Sequence, residues 1–305
     1  MQLVSQQNRG FAIQTRQQRP AISRSNLMAN YFAVQSTRKM AYFASALGCA
    51  AIRRAQFALL ALLCLGLAHL VQAQTDEIQV YDAQIAAPGV FNLTWHNNYT
   101  PDGRTSPSFP GGIIPNHTLN GVSEWAYGVT EWFEAGLYLP LYSVSGTGAW
   151  TYNGFKIRTL FVKPDAANQP FFYGVNFEFS WNTAHWDQNS RTGEIRPIIG
   201  WHLGSFDLIV NPILDNSYKG FSRLDFAPAT RVAFNLNKTW ALAAEEYDDF
   251  GPIRGFYSPS QQQHQLFGVF DYRGNPWTIE AGAGVGLTSA TDRLVLKLIL
   301  SRDLN

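Results

Sequence analysis

From Gly89 onward the chain has no stretch near the roughly 20 apolar residues that a membrane-crossing helix needs, which excludes a bundle of spanning helices. Cysteine is nearly missing. Cys49 and Cys64 are the two present, and both precede the segment read as the mature product, so that product has no disulfide framework and suits an oxidising compartment. Acid is missing from the front of the chain: all 22 Asp and Glu lie at or after Asp76, whereas 8 of the 23 Lys and Arg precede it. The remainder carries 15 basic against 22 acidic residues, a net −7. That balance gives no ground for nucleic-acid binding, and no nucleic-acid motif is present.

The front of the chain reads as processing sequence. Arg53 and Arg54 precede the apolar run 57–71, which ends in Val71-Gln72-Ala73, so a signal peptidase is expected to cut between Ala73 and Gln74. A signal anchor is the bland alternative, although the run is short for a span. Acylation at Cys64 is disfavoured because Leu62-Leu63 lacks the small residue that such cleavage needs. Residues 1–39 are rich in Gln, Arg and Ser and show no hydrophobic period, so they are expected to be a non-structural extension or a mis-assigned start. An organelle-targeting peptide competes with that reading. The expected organisation is 1–39 extension, 40–73 signal peptide, 74–88 a periplasmic arm able to plug a lumen, and 89–305 one barrel.

Beyond residue 89 the hydrophobic pattern has a period of two, which belongs to strands. About twelve segments near ten residues long follow, the length a tilted strand needs to cross hydrocarbon. In 171–181, Phe171, Tyr173, Val175, Phe177, Phe179 and Trp181 alternate with Phe172, Gly174, Asn176, Glu178 and Ser180. In the last segment Leu294, Leu296, Leu298 and Leu300 oppose Arg293, Val295, Lys297 and Ile299. A soluble sandwich also alternates. Two further signals favour an all-β, antiparallel transmembrane barrel of about 12 strands. Tight turns near 130–131, 204–205, 236–237 and 274–275 alternate with the longer loops 101–118, 143–149, 183–192, 213–220 and 248–262. Trp132, Trp201, Trp240 and Trp277 flank the tight turns and Trp150, Trp181 and Trp186 the other edge, as interfacial girdles require.

The segment Glu77-Ile78-Gln79-Val80-Tyr81-Asp82-Ala83-Gln84-Ile85, then Pro88-Gly89 and a first strand with Leu93, His96, Asn97, Asn98 and Tyr99, resembles the opening of an uncharacterised family of proteobacterial outer-membrane barrels. That family is similar to transporter-like proteins of the meta pathway of phenol degradation. The recognisable block covers 77–99. It implies the outer membrane of a Gram-negative bacterium, with outer-membrane lipid, lipopolysaccharide and the barrel-insertion machinery as partners. The chain departs from many such barrels in ending Arg302-Asp303-Leu304-Asn305, without a terminal aromatic residue.

With the apolar face outward, the lumen is expected to hold Glu124, Glu134, Lys156, Arg158, Glu178, Glu194, Arg196, Asp207, Arg223, Asp225, Arg231, Glu245, Glu280 and Lys297. Mixed charge implies cross-strand ion pairs, a narrow polar passage, or both, rather than a strongly ion-selective pore. Twelve strands lie between barrels that side chains fill and porins with an open channel. The expected function is a channel or facilitator for small, hydrophobic or aromatic molecules, with Tyr99, Phe109, Phe250 and Phe256 at the outer mouth. An outer-membrane acyl hydrolase needs Ser, His and an orienting group together; Ser180 and His202 share a face but fall at opposite ends, and His96 has no nucleophile motif. A structural or adhesive surface protein is the third reading. No cofactor or metal motif is present; Asp248-Asp249 is read as a solvated acidic loop, and Gly282, Gly284 and Gly286 as positions that relieve crowding.

Overall fold

The computed structural model describes residues 77–305; the expected signal peptide, extension and cleavage site lie outside them. Fourteen strand segments follow one another: β1 (Phe91–Asp102), β2 (Leu119–Thr130), β3 (Phe133–Val144), β4 (Trp150–Val162), β5 (Phe171–Asn182), β6 (Arg191–Leu203), β7 (Phe206–Asn211), β8 (Leu214–Asn216), β9 (Asp225–Phe226), β10 (Ala229–Asn235), β11 (Trp240–Asp249), β12 (Gln263–Arg273), β13 (Thr278–Gly286) and β14 (Leu294–Asp303). All pairings are antiparallel between neighbours, and β14 closes on β1. Closure leaves no unpaired edge, which a strand surrounded by lipid could not tolerate.

The fourteen segments make twelve staves, because β7 with β8 and β9 with β10 are each one strand broken in the middle. Asn211 pairs with Ala229 and Leu214 with Phe226, so the register runs unchanged across both breaks. Proline is the cause. Ile199 pairs with Val210 and Ile195 with Leu214, which sets Pro197 of β6 opposite Pro212; the β7–β10 register sets Pro212 opposite Pro228. Three prolines therefore lie in one row across three staves, without an N–H among them. The N–H of Ala227 bonds the Ile213 carbonyl and that of His202 the Pro170 carbonyl, so the ladder's alternation turns Pro212 and Pro197 toward each other. No donor crosses there. Sequence periodicity read through Pro197 and Pro228 but stopped a strand at Pro212: it expected a loop over 213–220, where β8 continues the stave, and one strand over 221–235, whereas that stave starts at Asp225 after a 3-10 turn, Phe221–Arg223.

Outward side chains form an apolar belt. Trp132 is 50% exposed, Phe179 46% and Leu298 38%, on a surface far larger than the apolar patch a soluble monomer carries. The belt is of the kind that hydrocarbon covers. Trp132, Trp240 and Trp277 stand at the short-turn end and Trp150 at the long-loop end. Trp186 departs from the expected girdle, being buried inside against Val122, Tyr138 and Leu141. Inside the barrel, glycine makes room for large rings: Phe172 lies over Gly200 directly across the ladder, and Phe267 over Gly284. An aromatic ring covering a cross-strand glycine pins the register of its pair.

Candidate functional site

The lumen is occupied by the chain's own N-terminal segment. Residues 77–88, expected as an arm outside the membrane that could plug the lumen, run up the inside of the barrel from the short-turn end. Asn211 binds the backbone of Tyr81 on both sides, accepting from its N–H at 2.7 Å and donating to its carbonyl at 3.0 Å. The Tyr81 hydroxyl meets that of Tyr138 at 2.6 Å, and its ring lies under the Arg196 guanidinium, 4.4 Å from the centroid. Ala86 N–H donates to Glu134 at 2.6 Å, Arg196 to the Gln79 carbonyl at 3.1 Å and Lys297 to the Ile78 carbonyl at 3.3 Å. An extended segment has backbone groups to satisfy on all sides, and wall side chains satisfy these.

The arm has an apolar side as well. Val80, Tyr81 and Ala83 pack on Leu160, Phe172, Ile198 and Ile209, while Ile78 packs on Phe267, Val269 and Val295. These wall residues point inward, where simple alternation expected polar side chains. The arm accounts for them, because it gives the lumen an apolar partner that no strand pattern reveals.

Charged wall residues form three groups around the arm. Arg158 of β4 pairs with Glu124 of β2 at 2.6 Å and with Glu134 of β3, and His96 of β1 contacts Glu124 at 3.1 Å. Arg196 pairs with Glu194 on the same strand at 2.6 Å, beside Lys156 and Glu178 at 3.4 Å. Arg231 of β10 pairs with Glu245 of β11 and Asp271 of β12, while Lys297 of β14 joins Glu245 to Glu280 of β13, the last contact at 2.6 Å. Side chains from staves two or three apart thus meet inside the lumen. Asp207 faces the lumen near the short turns and holds His202 at 2.6 Å.

One expected lumen residue sits elsewhere, and another lies near the mouth. Arg223 is exposed in the 3-10 turn, outside the barrel wall, because the stave it was assigned to begins later. Asp225 is half-buried on β9 near the long-loop end, opposite Asp215 of β8. Three residues were missed: Asp271, Asp215 and, on the arm, Glu77. Asp271 lies on the lumen face by the same alternation that placed its neighbours, so its signal was available; Asp215 was hidden because 213–220 was read as a loop, whereas Leu214–Asn216 continue the stave as β8.

A cavity of about 740 Å³ lies beside the arm at the short-turn end, bounded by Glu134, Arg158, Asp207, Arg231, Asp271 and Glu280 among others. Seven carboxylates and three guanidiniums line it in all, so the sign is less balanced than expected. At the other end loops fold inward: Ile113 and Trp186 pack on Tyr138, tied by Ile113 N–H to the His185 carbonyl at 3.2 Å, and Phe109 is buried as well. Of the aromatic residues expected at the mouth, Phe109 is thus buried, Phe250 and Phe256 stack with Phe226, and Tyr99 lies on the exposed side of β1. Ser180 pairs in register with Thr192 and His202 with Asp207, at opposite ends of β6. Asp248, Glu246 and His264 gather near the long-loop end of β11 and β12, with His264 and Asp248 at 2.6 Å.

No protein-family model and no curated protein matches this chain. Solved structures do. An outer membrane channel from Pseudomonas putida F1 aligns at TM-score 0.51 and 12% identity, covering 75% of this chain and 100% of the channel. The translocator domain of the autotransporter NalP from Neisseria meningitidis gives 0.38 at 12% identity, over 72% of this chain and 90% of the domain. A mutant porin of Rh. blastica gives 0.28 at 9% identity, over 70% and 99%. The likeness to the Pseudomonas channel shows the fold class, an outer-membrane β-barrel.

Proposed function

We propose that this protein is an outer-membrane channel or facilitator for small molecules, hydrophobic or aromatic ones among them, held closed by its own N-terminal arm. One observation carries the reading: the N-terminal segment 77–88 lies inside the lumen on wall side chains, leaving a cavity open beside it. Twelve staves enclose more space than their own side chains occupy. Displacing the arm uncovers an apolar strip (Leu160, Phe172, Ile198, Ile209) next to the ion pairs, a surface suited to a solute with a ring and a polar group. The short turns then face the periplasm and the long loops the exterior of a Gram-negative cell, in contact with outer-membrane lipid and lipopolysaccharide after delivery by the barrel-insertion machinery. The resemblance of the 77–99 block to a family similar to transporter-like proteins of the meta pathway of phenol degradation agrees with an aromatic solute.

The test compares the wild-type barrel with one lacking residues 77–87 in planar bilayers and in liposomes loaded with an aromatic-acid reporter. Low or flickering conductance in the wild type, with larger stable conductance and faster uptake in the deletion, supports the proposal. Equal and negligible flux in both defeats it.

A further inference from the structure

On the outer surface of the barrel, near the long loops, a groove of about 590 Å³ runs between β5 and the segment that follows β8. Its walls have two chemistries. Phe179 and Trp181 stand on the outward face of β5, Trp181 stacked on Phe155 of β4 at 4.8 Å. Tyr218 forms the opposite wall, its ring lying over Gly193 of β6, where a side chain would collide with the hydroxyl. Arg191 and Lys219 stand at the rim, both exposed, and the groove lining contains no carboxylate.

Tyr218 is held there against its backbone preference. Its φ is 58°, a left-handed conformation that is rare for a bulky residue, and its N–H is fixed by the Asn216 side chain at 2.8 Å. Strain of this kind persists where surrounding structure imposes it and clusters at ligand clamps. Here it keeps an aromatic ring over a glycine and so keeps the groove open.

We propose that this groove binds a phosphorylated glycolipid of the outer leaflet, with acyl chain on Phe179, Trp181 and Tyr218 and phosphate between Arg191 and Lys219. The assignment rests on the outer-membrane reading above, which sets this end of the belt at the headgroup layer. Arg191 and Lys219 at the rim of a lining without carboxylates complement phosphate, with Asp187 as the acidic group near Lys219, and aromatic rings directly below suit the boundary between headgroup and chain. A neutral apolar solute would use the rings and leave both bases idle.

Native mass spectrometry of the purified full barrel in detergent tests the site, with diphosphoryl lipid A and its dephosphorylated form as probes. The wild type is expected to retain the diphosphoryl form at least about tenfold better than the dephosphorylated form. The double variant Arg191→Ala/Lys219→Ala is expected to lose that discrimination. Tyr218→Gly, which accepts the same backbone angle, is expected to weaken both probes. Equal retention of the two probes by the wild type overturns the proposal in favour of a groove for apolar molecules, and unchanged discrimination in the double variant overturns it outright. Fractionation separates this failure from the other: a wild-type protein absent from outer membranes defeats the outer-membrane reading, whatever the probes do.

Discussion

Asn211 and Tyr81, 130 residues apart in sequence, are joined as two backbone strands would be: one side-chain amide accepts the Tyr81 N–H and donates to its carbonyl. Asn211 is fully buried. The wall therefore recognises the arm through its main chain, at the point where Tyr81 also reaches Tyr138 and Arg196.

Removing that grip should favour the displaced arm. Each of the two hydrogen bonds contributes about 1 kcal/mol net, so Asn211→Ala is expected to raise the arm-out population by roughly 10- to 30-fold. Bilayer recordings of the variant should show more frequent openings, with an amplitude matching that of the protein lacking 77–87. Openings as rare as in the wild type would mean that the apolar contacts alone seat the arm.

Lys297 is buried between Glu245 and Glu280. Lys297→Met leaves Glu245 and Glu280 with Arg231 as their one remaining shared cation, a loss below the roughly 3–5 kcal/mol of a buried pair left with no partner. Urea titration of the barrel in vesicles should show a markedly lower midpoint, and adding Glu245→Gln should recover part of it. A midpoint unchanged in Lys297→Met would show that water already screens the group.

The carboxylate excess around the inner cavity predicts preference for cations once current flows. A potassium chloride gradient across the arm-deleted barrel should give a reversal potential displaced toward the potassium equilibrium potential. Asp271→Asn and Glu280→Gln together should move it toward zero. A chloride-selective reversal would contradict the lumen electrostatics described above.

Pro197 and Pro212 predict an unusual gain. Pro197→Val and Pro212→Val each restore an N–H facing a carbonyl, at about 1 kcal/mol net per bond. Both side chains point outward, so the change adds no volume to the lumen. The temperature at which the folded gel band gives way to the unfolded one should rise in each variant and further in the double variant. A fall would show that the backbone there has settled into a path that a ladder residue cannot follow.

Much of the barrel was legible because a wall with lipid on one side and polar contacts on the other imposes alternation. Phe171 to Asn182 and Leu294 to Asp303 display it almost without exception, and their faces lie as the pattern implies. What alternation cannot report is a third body inside. Phe172, Ile198 and Ile209 looked like lapses in a polar face until the arm supplied Val80, Tyr81 and Ala83 as their partners. Arg223 failed for another reason: a two-residue period continues on paper through a 3-10 turn that breaks it in space. The prolines at 212 and 228 carried the missing information, since a residue without an N–H interrupts a ladder even when its hydrophobicity fits.

Those prolines give the wall a mechanical grain. A closed ladder resists widening because each neighbour is stitched to the next by N–H donors, and stiffness is shared around the hoop. Between Pro197 and Pro212 the stitch is missing, and Pro228 has no donor to offer Asp248, which bonds to its carbonyl. Stretch around the circumference, whether from a bilayer of unequal thickness or from the pull of neighbouring molecules, concentrates in that narrow strip. The ring then bends there as a hinge does, while the remaining staves hold their curvature.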